Sequence, residues 1–355
     1  MKKAVCFLLV LLALVATLTG CNSYKADKID TEKIRVGIME TRGNRDSSRI
    51  LFLDEELNEL GSLSIKEAGL GSLFDTQLVI DNTLYIIPQG YDTRKDAKKV
   101  LEIDLSDLNI TEHKIDRIAM MSVAVNEDYI YTCNNLNGVS YVNKYDIVSG
   151  ETEYICFQDE IIMYLFYDSE SRSLYAFGES SRKDGTSIAR MHIYDENLNL
   201  LSNVDITKCG TGQNKAVSYE GNILFTSGTA EDGRDSKSVY VFNPKDESIS
   251  TIELSKSNPW DLQIRGDKLY VSHFNIVTGE GGGLSVYDFA TGKSVYKDFD
   301  HGVEQMQIVD GKIYILSDWK IYVYDLETLE LTKTREIEPM DRYFSYLSGM
   351  FVVEN

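Results

Sequence analysis

The stretch Gly266-Asp267-Lys268-Leu269-Tyr270-Val271, with Ser285-Val286-Tyr287-Asp288-Phe289-Ala290-Thr291-Gly292 after it, decides the fold. Its first part reads as a tight turn feeding an apolar-aromatic strand, and its second as a strand closed by an aspartate turn. The first phrase recurs as Leu84-Tyr85-Ile86, Ile130-Tyr131-Thr132, Leu174-Tyr175-Ala176, Ile223-Leu224-Phe225, Ile313-Tyr314-Ile315 and Met350-Phe351-Val352. Along the chain the middle residues are separated by 46, 44, 49, 46, 44 and 37 positions. A period in the forties, with several short strands in each repeat, is the pattern of propeller blades.

The aspartate phrase runs in phase with the first. It appears as Leu53-Asp54, Ile103-Asp104, Tyr145-Asp146, Tyr194-Asp195, Phe242-Asn243, Tyr287-Asp288 and Tyr324-Asp325. Asp or Asn at a strand end can bond its own backbone two residues on, which favours a hairpin turn. Two independent phrases each occur seven times, which predicts an all-β, seven-bladed β-propeller. Strand-like segments at Ile34-Arg35-Val36-Gly37-Ile38 and Arg49-Ile50-Leu51-Phe52-Leu53 precede the first complete repeat. Tyr343-Phe344-Ser345-Tyr346 and Met350-Phe351-Val352-Val353 follow the last. Pairing the two ends closes the ring and removes its open edges. Val36 and Val352 both fit the second-strand slot, so the register of closure stays open.

Lys2 and Lys3 precede an apolar run from Ala4 to Ala16 and then Leu18-Thr19-Gly20-Cys21. A basic start, a short apolar stretch and small residues before a cleavage point read as a secretory leader. The run is too short for a good membrane span. Leu18-Thr19-Gly20-Cys21 resembles the lipobox of bacterial lipoproteins. That resemblance implies a diacylglyceryl thioether on Cys21, cleavage before it and acylation of the new amino group. Two or three acyl chains anchor a domain stably where one holds it marginally. The expected organisation is a leader over 1–20, a lipidated Cys21 with a polar tether over 21–33, and the propeller over 34–355. The expected place is the extracytoplasmic side of a bacterial cell membrane, inner or outer if there are two.

The formal net charge is −20, and losing Lys2 and Lys3 with the leader makes the chain more acidic still. That field repels phosphate backbones, so nucleic acid is not an expected partner. Cys133 and Cys156 fall on the second and fourth strands of one blade, too far apart for a disulfide. With Cys209 they form an odd set, expected as buried thiols.

Turns between first and second strands, such as Arg265-Gly266-Asp267 and Asp310-Gly311-Lys312, are short. So are those at the aspartate phrase, and propeller geometry puts both sets on one face. Pro88 to Lys99, Gly178 to Ala189, Ser227 to Lys237 and His273 to Gly283 belong to the opposite face, which is expected to be the working one. The innermost strands begin there. Their first residues, candidates for a ligand or partner site at the channel mouth, are Gln77, Met120, Met121, Met163, Tyr164, Asn214, Lys215, Trp260, Asp261, Glu304, Gln305, Arg342 and Tyr343. Trp260-Asp261, Glu304-Gln305 and Arg342-Tyr343 are read as matching slots in successive blades. Aromatic, carboxylate, amide and guanidinium groups around one hollow suit a polar ligand; interblade hydrogen bonding is the competing use.

Catalytic signatures are sparse. His113 and His192 read as surface or packing residues on outer or third strands. His273 and His301 lie on the long-loop side, where a two-histidine or acid-base site is conceivable, though surface histidine explains both. Asp261 and Glu304 supply paired carboxylates for glycan chemistry at an unspecified separation. The run Gly279-Glu280-Gly281-Gly282-Gly283 lacks a following helix and Lys-Ser/Thr, so it reads as a lid or a tight crossing rather than a phosphate cradle. Neither a metal nor a cofactor is expected.

The repeats resemble the bacterial seven-bladed propellers grouped as YVTN-like or quinoprotein-like, and more loosely WD40 repeats. Gly266 to Val271, Ser285 to Gly292, Gly311 to Ile315 and Ile321 to Asp325 carry the resemblance. It implies the fold and little about activity, because propellers host many unrelated functions. Only Trp260 and Trp319 are present, against the dense tryptophans expected of quinone-dependent dehydrogenases. The expected role is a non-catalytic, membrane-anchored binding lipoprotein that holds a protein or an envelope polymer on its long-loop face. The alternative is an envelope glycan or small-molecule hydrolase or lyase that uses Asp261, Glu304, His273 or His301.

Overall fold

In a computed structural model, described for residues 25–26, 28–42, 45–71, 77–89, 98–181 and 185–354, the chain forms seven antiparallel sheets. The leader, Cys21 and most of the tether lie outside the described residues. Six sheets have four strands each, drawn from 77–114, 120–157, 161–205, 216–253, 259–298 and 305–336. We number these blades one to six. Blade five is representative, with Pro259–Arg265 innermost, then Lys268–Asn275, Glu280–Asp288 and Lys293–Asp298. Innermost strands of successive blades touch one another around the centre.

Strand alternation explains the repeating phrase. Leu269 and Val271 point into the cluster shared with blade four, beside Leu224 and Val239. Tyr270, between them, points the other way into the cluster shared with blade six, beside Met306 and Ile313. A strand buried on both faces must be apolar at consecutive positions. Seven such clusters fill the seven spaces between blades.

The aspartate phrase behaves as its chemistry requires at all seven copies. Asp54 accepts from Asn58 N, Asp104 from Ser106 N, Asp146 from Ser149 N and Asp195 from Asn199 N. Asn243 accepts from Lys245 N, Asp288 from Thr291 N and Asp325 from Thr328 N. Each bond satisfies a turn N–H that the ladder leaves unpaired.

Blade seven closes the ring. Ser345–Val352 is its innermost strand and pairs with Val36–Arg42, followed by Ser48–Leu53 and Glu59–Ile65. The C-terminus therefore supplies one strand, where two strand-like segments are expected, and the seventh apolar-aromatic phrase is not a second strand. The reason lies at Gly37, the second-strand position that carries Tyr in five of the other blades and Leu224 in blade four. Phe351 is its cross-strand partner, and a Cβ on Gly37 would stand 2.0 Å from the Phe351 ring. Phe351 thus fills the interblade space that a second-strand aromatic fills elsewhere. Part of the expected tether also folds: Lys25–Ala26 forms a short edge strand, with Lys25 opposite Ser64 and Ala26 opposite Leu63.

Cys133 and Cys209 are buried, but Cys156 is exposed on an outermost strand, contrary to the expected trio of core thiols. Burial pushes the Cys209 thiol up to about 12, which keeps it protonated and inert.

Phe351 is 3% exposed and packs edge-on against Phe52 at 6.5 Å. Phe351→Ala is expected to lower the unfolding free energy by about 3–5 kcal/mol, as large aromatic truncations in cores do. Urea denaturation checks this; a loss under about 1 kcal/mol would show that closure does not depend on the ring.

Candidate functional site

A cavity of about 220 Å³ occupies the central channel. Of the residues expected at its mouth, Gln77, Asn214, Lys215, Trp260, Asp261, Glu304 and Gln305 line it. Gln263 and Gln307, absent from the sequence-based candidates, line it deeper in. Strand alternation from Asp261 and Gln305 is the signal that points to them.

The register explains which residues converge. Leu262 pairs with Val271 and Met306 with Ile315, so Asp261 matches Gln305 and Trp260 matches Glu304. In blade seven Met350 pairs with Ile38, which puts Ser348 and Gly349 in the next slot. Arg342 and Tyr343 instead form an exposed turn just before the innermost strand, with Tyr343 89% exposed. The lining residues of the cavity do not include Met120, Met121, Met163 or Tyr164. Met121 packs into the core between blades two and three. Tyr164 is buried, and its hydroxyl accepts from Ala216 N at 2.9 Å.

Several channel groups bind neighbouring blades. Trp260 Nε1 donates to Glu304 O at 3.1 Å, and Asn214 Nδ2 donates to Trp260 O at 3.4 Å. Gln305 Oε1 accepts from Met350 N at 2.6 Å. Glu304 Oε1 accepts from Asp318 N at 2.7 Å and from the Ser317 hydroxyl at 3.2 Å. The central charge pair is Lys215 Nζ with Asp261 Oδ1 at 3.7 Å. Asp261 Oδ1 also accepts from Leu262 N at 2.9 Å. Burial raises the Asp261 pKa, and the Lys215 charge works against that rise.

The histidines stand apart from this pair. His273 is buried; its Nδ1 donates to Ser257 O at 2.8 Å, so its Nε2 accepts from the Ser285 hydroxyl at 2.8 Å. His301 Nδ1 donates to Gly302 O and its ring stacks on Tyr322 at 3.6 Å. Burial lowers both pKa values and keeps both rings neutral at pH 7. Neither lines the channel cavity. His113 and His192 are buried too, each with Nε2 against a carboxylate, Glu102 at 2.7 Å and Glu160 at 2.9 Å.

Two of the expected long loops are largely ladder. Gly178 pairs with Arg190 and Ser181 with Ser187; His273 pairs with Gly283 and Asn275 with Glu280. The glycine run is a tight crossing, since a Cβ on Gly283 would stand 1.9 Å from the Tyr296 hydroxyl. Ser227 to Lys237 stays irregular apart from a Thr229–Asp235 bridge. Most of Pro88 to Lys99 lies outside the described residues. Beside the mouth, Tyr343, Phe344 and Tyr346 are 89%, 53% and 45% exposed.

No family model and no curated protein matches the chain. Solved structures do match. A proposed 6-phosphogluconolactonase of Bacteroides uniformis is 12% identical, with 90% of this chain and 100% of that one covered and a TM-score of 0.62. Dihydro-heme d1 dehydrogenase NirN is 10% identical over 95% of this chain and 78% of its own, at a TM-score of 0.56. Apo AztD from Citrobacter koseri is 12% identical over 90% and 98%, at 0.51. Identities this low establish the fold alone: a seven-bladed propeller whose structural neighbours include NirN and 6-phosphogluconolactonase (YVTN-like) propellers.

A carboxyl raised in the folded state holds a proton that the unfolded chain releases above about pH 4. Stability from Asp261 is therefore present at low pH and lost as pH rises through its folded pKa. In urea melts from about pH 4 to 8, the stability of wild type relative to Asp261→Asn is expected to fall with pH. A relative stability that climbs with pH would contradict the assignment.

Proposed function

We propose that the chain is a lipid-anchored, extracytoplasmic binding protein that holds a protein partner on the long-loop face of its propeller. The observation that carries this reading is the exposed aromatic group Tyr343, Phe344 and Tyr346 beside the channel mouth. Large exposed aromatics on a rigid rim are the composition of protein-contact surfaces. The channel itself favours binding or plain structure over catalysis. Trp260, Glu304 and Gln305 are engaged between or within blades, and Asp261 faces Lys215. An envelope polymer would meet the same aromatic rim by stacking. The hydrolase or lyase reading retains only the shared lining of Asp261 and Glu304, with both histidines elsewhere.

The anchor rests on Lys2, Lys3, the apolar run to Ala16 and Leu18-Thr19-Gly20-Cys21. Cys21→Ser is expected to move the protein from the membrane fraction to the soluble fraction; retention on the membrane would refute lipid anchoring.

Partner binding is tested by a photo-crosslinking residue at position 343 in the native envelope, with position 221 on the short-turn face as control. A discrete adduct from 343, absent from 221 and lost in Phe344→Ser, is the expected result. Equal labelling at the two positions would overturn the choice of face.

A further inference from the structure

At the outer rim between blades one and two, the guanidinium of Arg117 packs in the corner formed by two tyrosine rings. It stands 4.7 Å from the Tyr141 centroid and 4.6 Å from that of Tyr154. Arg117 belongs to the connection that enters the innermost strand Met120–Val125 of blade two. The tyrosines come from the third and fourth strands of that blade, Val139–Asp146 and Thr152–Phe157. Their rings meet edge to face at 5.5 Å, so the slot that holds the guanidinium is built by the sheet.

Arg117 differs from the ion-paired arginines of this acidic chain. Arg35, Arg49, Arg172 and Arg335 each meet a carboxylate within 3.2 Å. Among the described residues Arg117 makes no ion pair and donates no hydrogen bond, and its Nε is buried without an acceptor. The adjacent acid, Asp116, is answered by Lys98 at 2.8 Å, which lowers its pKa. Arg117 shares the field of Asp116 but makes no direct ion pair with it, and its charge rests against two rings.

It faces a cavity of about 420 Å³ that is separate from the central channel. Arg117, Asn134, Asn137 and the Lys98–Asp116 ion pair provide polar groups on the lining, and Ile118, Leu136, Val139 and Tyr141 provide apolar wall. Leu136 is 42% exposed. A planar guanidinium with free donors matches a carboxylate bidentately, and stacking on aromatic rings reduces the ordering cost of that fork. The apolar wall adds a preference for a carboxylate on an apolar or aromatic body.

We propose that this cavity is a binding site for a carboxylate-bearing ligand with an apolar body, with Arg117 as the anion-binding residue. Lys98 and Asn137 stand at its edge, and Leu136, Val139 and Tyr141 receive the body. The site does not depend on the partner surface proposed above.

The test uses the full chain in detergent with labelled arginine. The Arg117 Nε–Hε resonance, shifted by its two tyrosine rings and identified by its loss in Arg117→Lys, is followed at constant ionic strength during titration with benzoate, acetate or phosphate. Benzoate is expected to saturate the shift, at a concentration about tenfold below acetate because its ring leaves water. By calorimetry, Arg117→Gln is expected to lose benzoate binding while its melting temperature and the Tyr343 crosslink are retained. Absence of a saturable benzoate shift in the wild-type chain would overturn the site whatever the variant does. Undiminished benzoate binding by folded Arg117→Gln would do the same, and phosphate binding as tight as benzoate would overturn the carboxylate assignment.

Discussion

One cross-strand contact holds the ring together: Phe351 of the last strand lies over Gly37 of the first blade strand. A propeller gains stability only when every blade is packed on both faces, and the seventh blade exists only if the two chain ends meet. The ladder from Val36–Val352 to Arg42–Ser345 makes that join with backbone hydrogen bonds. Arg35 adds to it, donating to Val353 O at 2.7 Å and pairing with Asp310 of blade six at 2.8 Å. Removing the ring of Phe351 would open the space between blades seven and one, where Phe52, Leu84 and Ile103 also pack. The closure is therefore of long range in sequence and slow to find, so folding is expected to end there rather than begin there.

Closure also determines what the centre of the molecule can do. Seven innermost strands brought edge to edge leave polar side chains facing a narrow channel, and buried polar groups must find partners. Trp260, Asn214 and Gln305 find theirs on neighbouring strands, so they stitch the ring as well as line it. Lys215 and Asp261 face each other across blades four and five at 3.7 Å. Removing Lys215 would leave the buried Asp261 carboxyl without its neighbouring positive charge, which costs more than the pair contributes. Much of the channel chemistry is accordingly committed to the fold, which is why the proposed recognition is placed at the rim.

The fold was legible because its signals are local and repeated. An aspartate that caps its own turn, and a three-residue phrase that must be apolar to serve two interfaces, leave the same mark seven times. What escaped notice depends on contacts across the chain. Met350-Phe351-Val352 has the composition of a second strand because Phe351 does a second strand's packing in the space above Gly37; only pairing reveals its true place. Arg342 and Tyr343 lie outside the slot of Trp260 and Asp261 because a turn precedes Ser345, and loop length does not register in a repeat. Gln263 and Gln307 were within reach, two residues along strands already identified. Arg117 was not, since its tyrosines lie on strands whose outer positions carry no repeating constraint.

That lack of constraint argues for the rim as the place of recognition. Positions between blades are held by packing on both sides, and positions in the channel by hydrogen bonds to adjacent strands. At the outer edge a side chain is released from both demands, and its environment reports what else acts on it. With 56 acidic and 36 basic residues, the chain offers carboxylates in excess to every cation. An arginine in such a chain can gain an ion pair by small changes at many neighbouring surface positions. Arg117 instead packs against Tyr141 and Tyr154 and lines a cavity with an apolar wall. Two aromatic rings hold the charge in place without an ion pair, an arrangement that would preorganise a cation for the external anion proposed above.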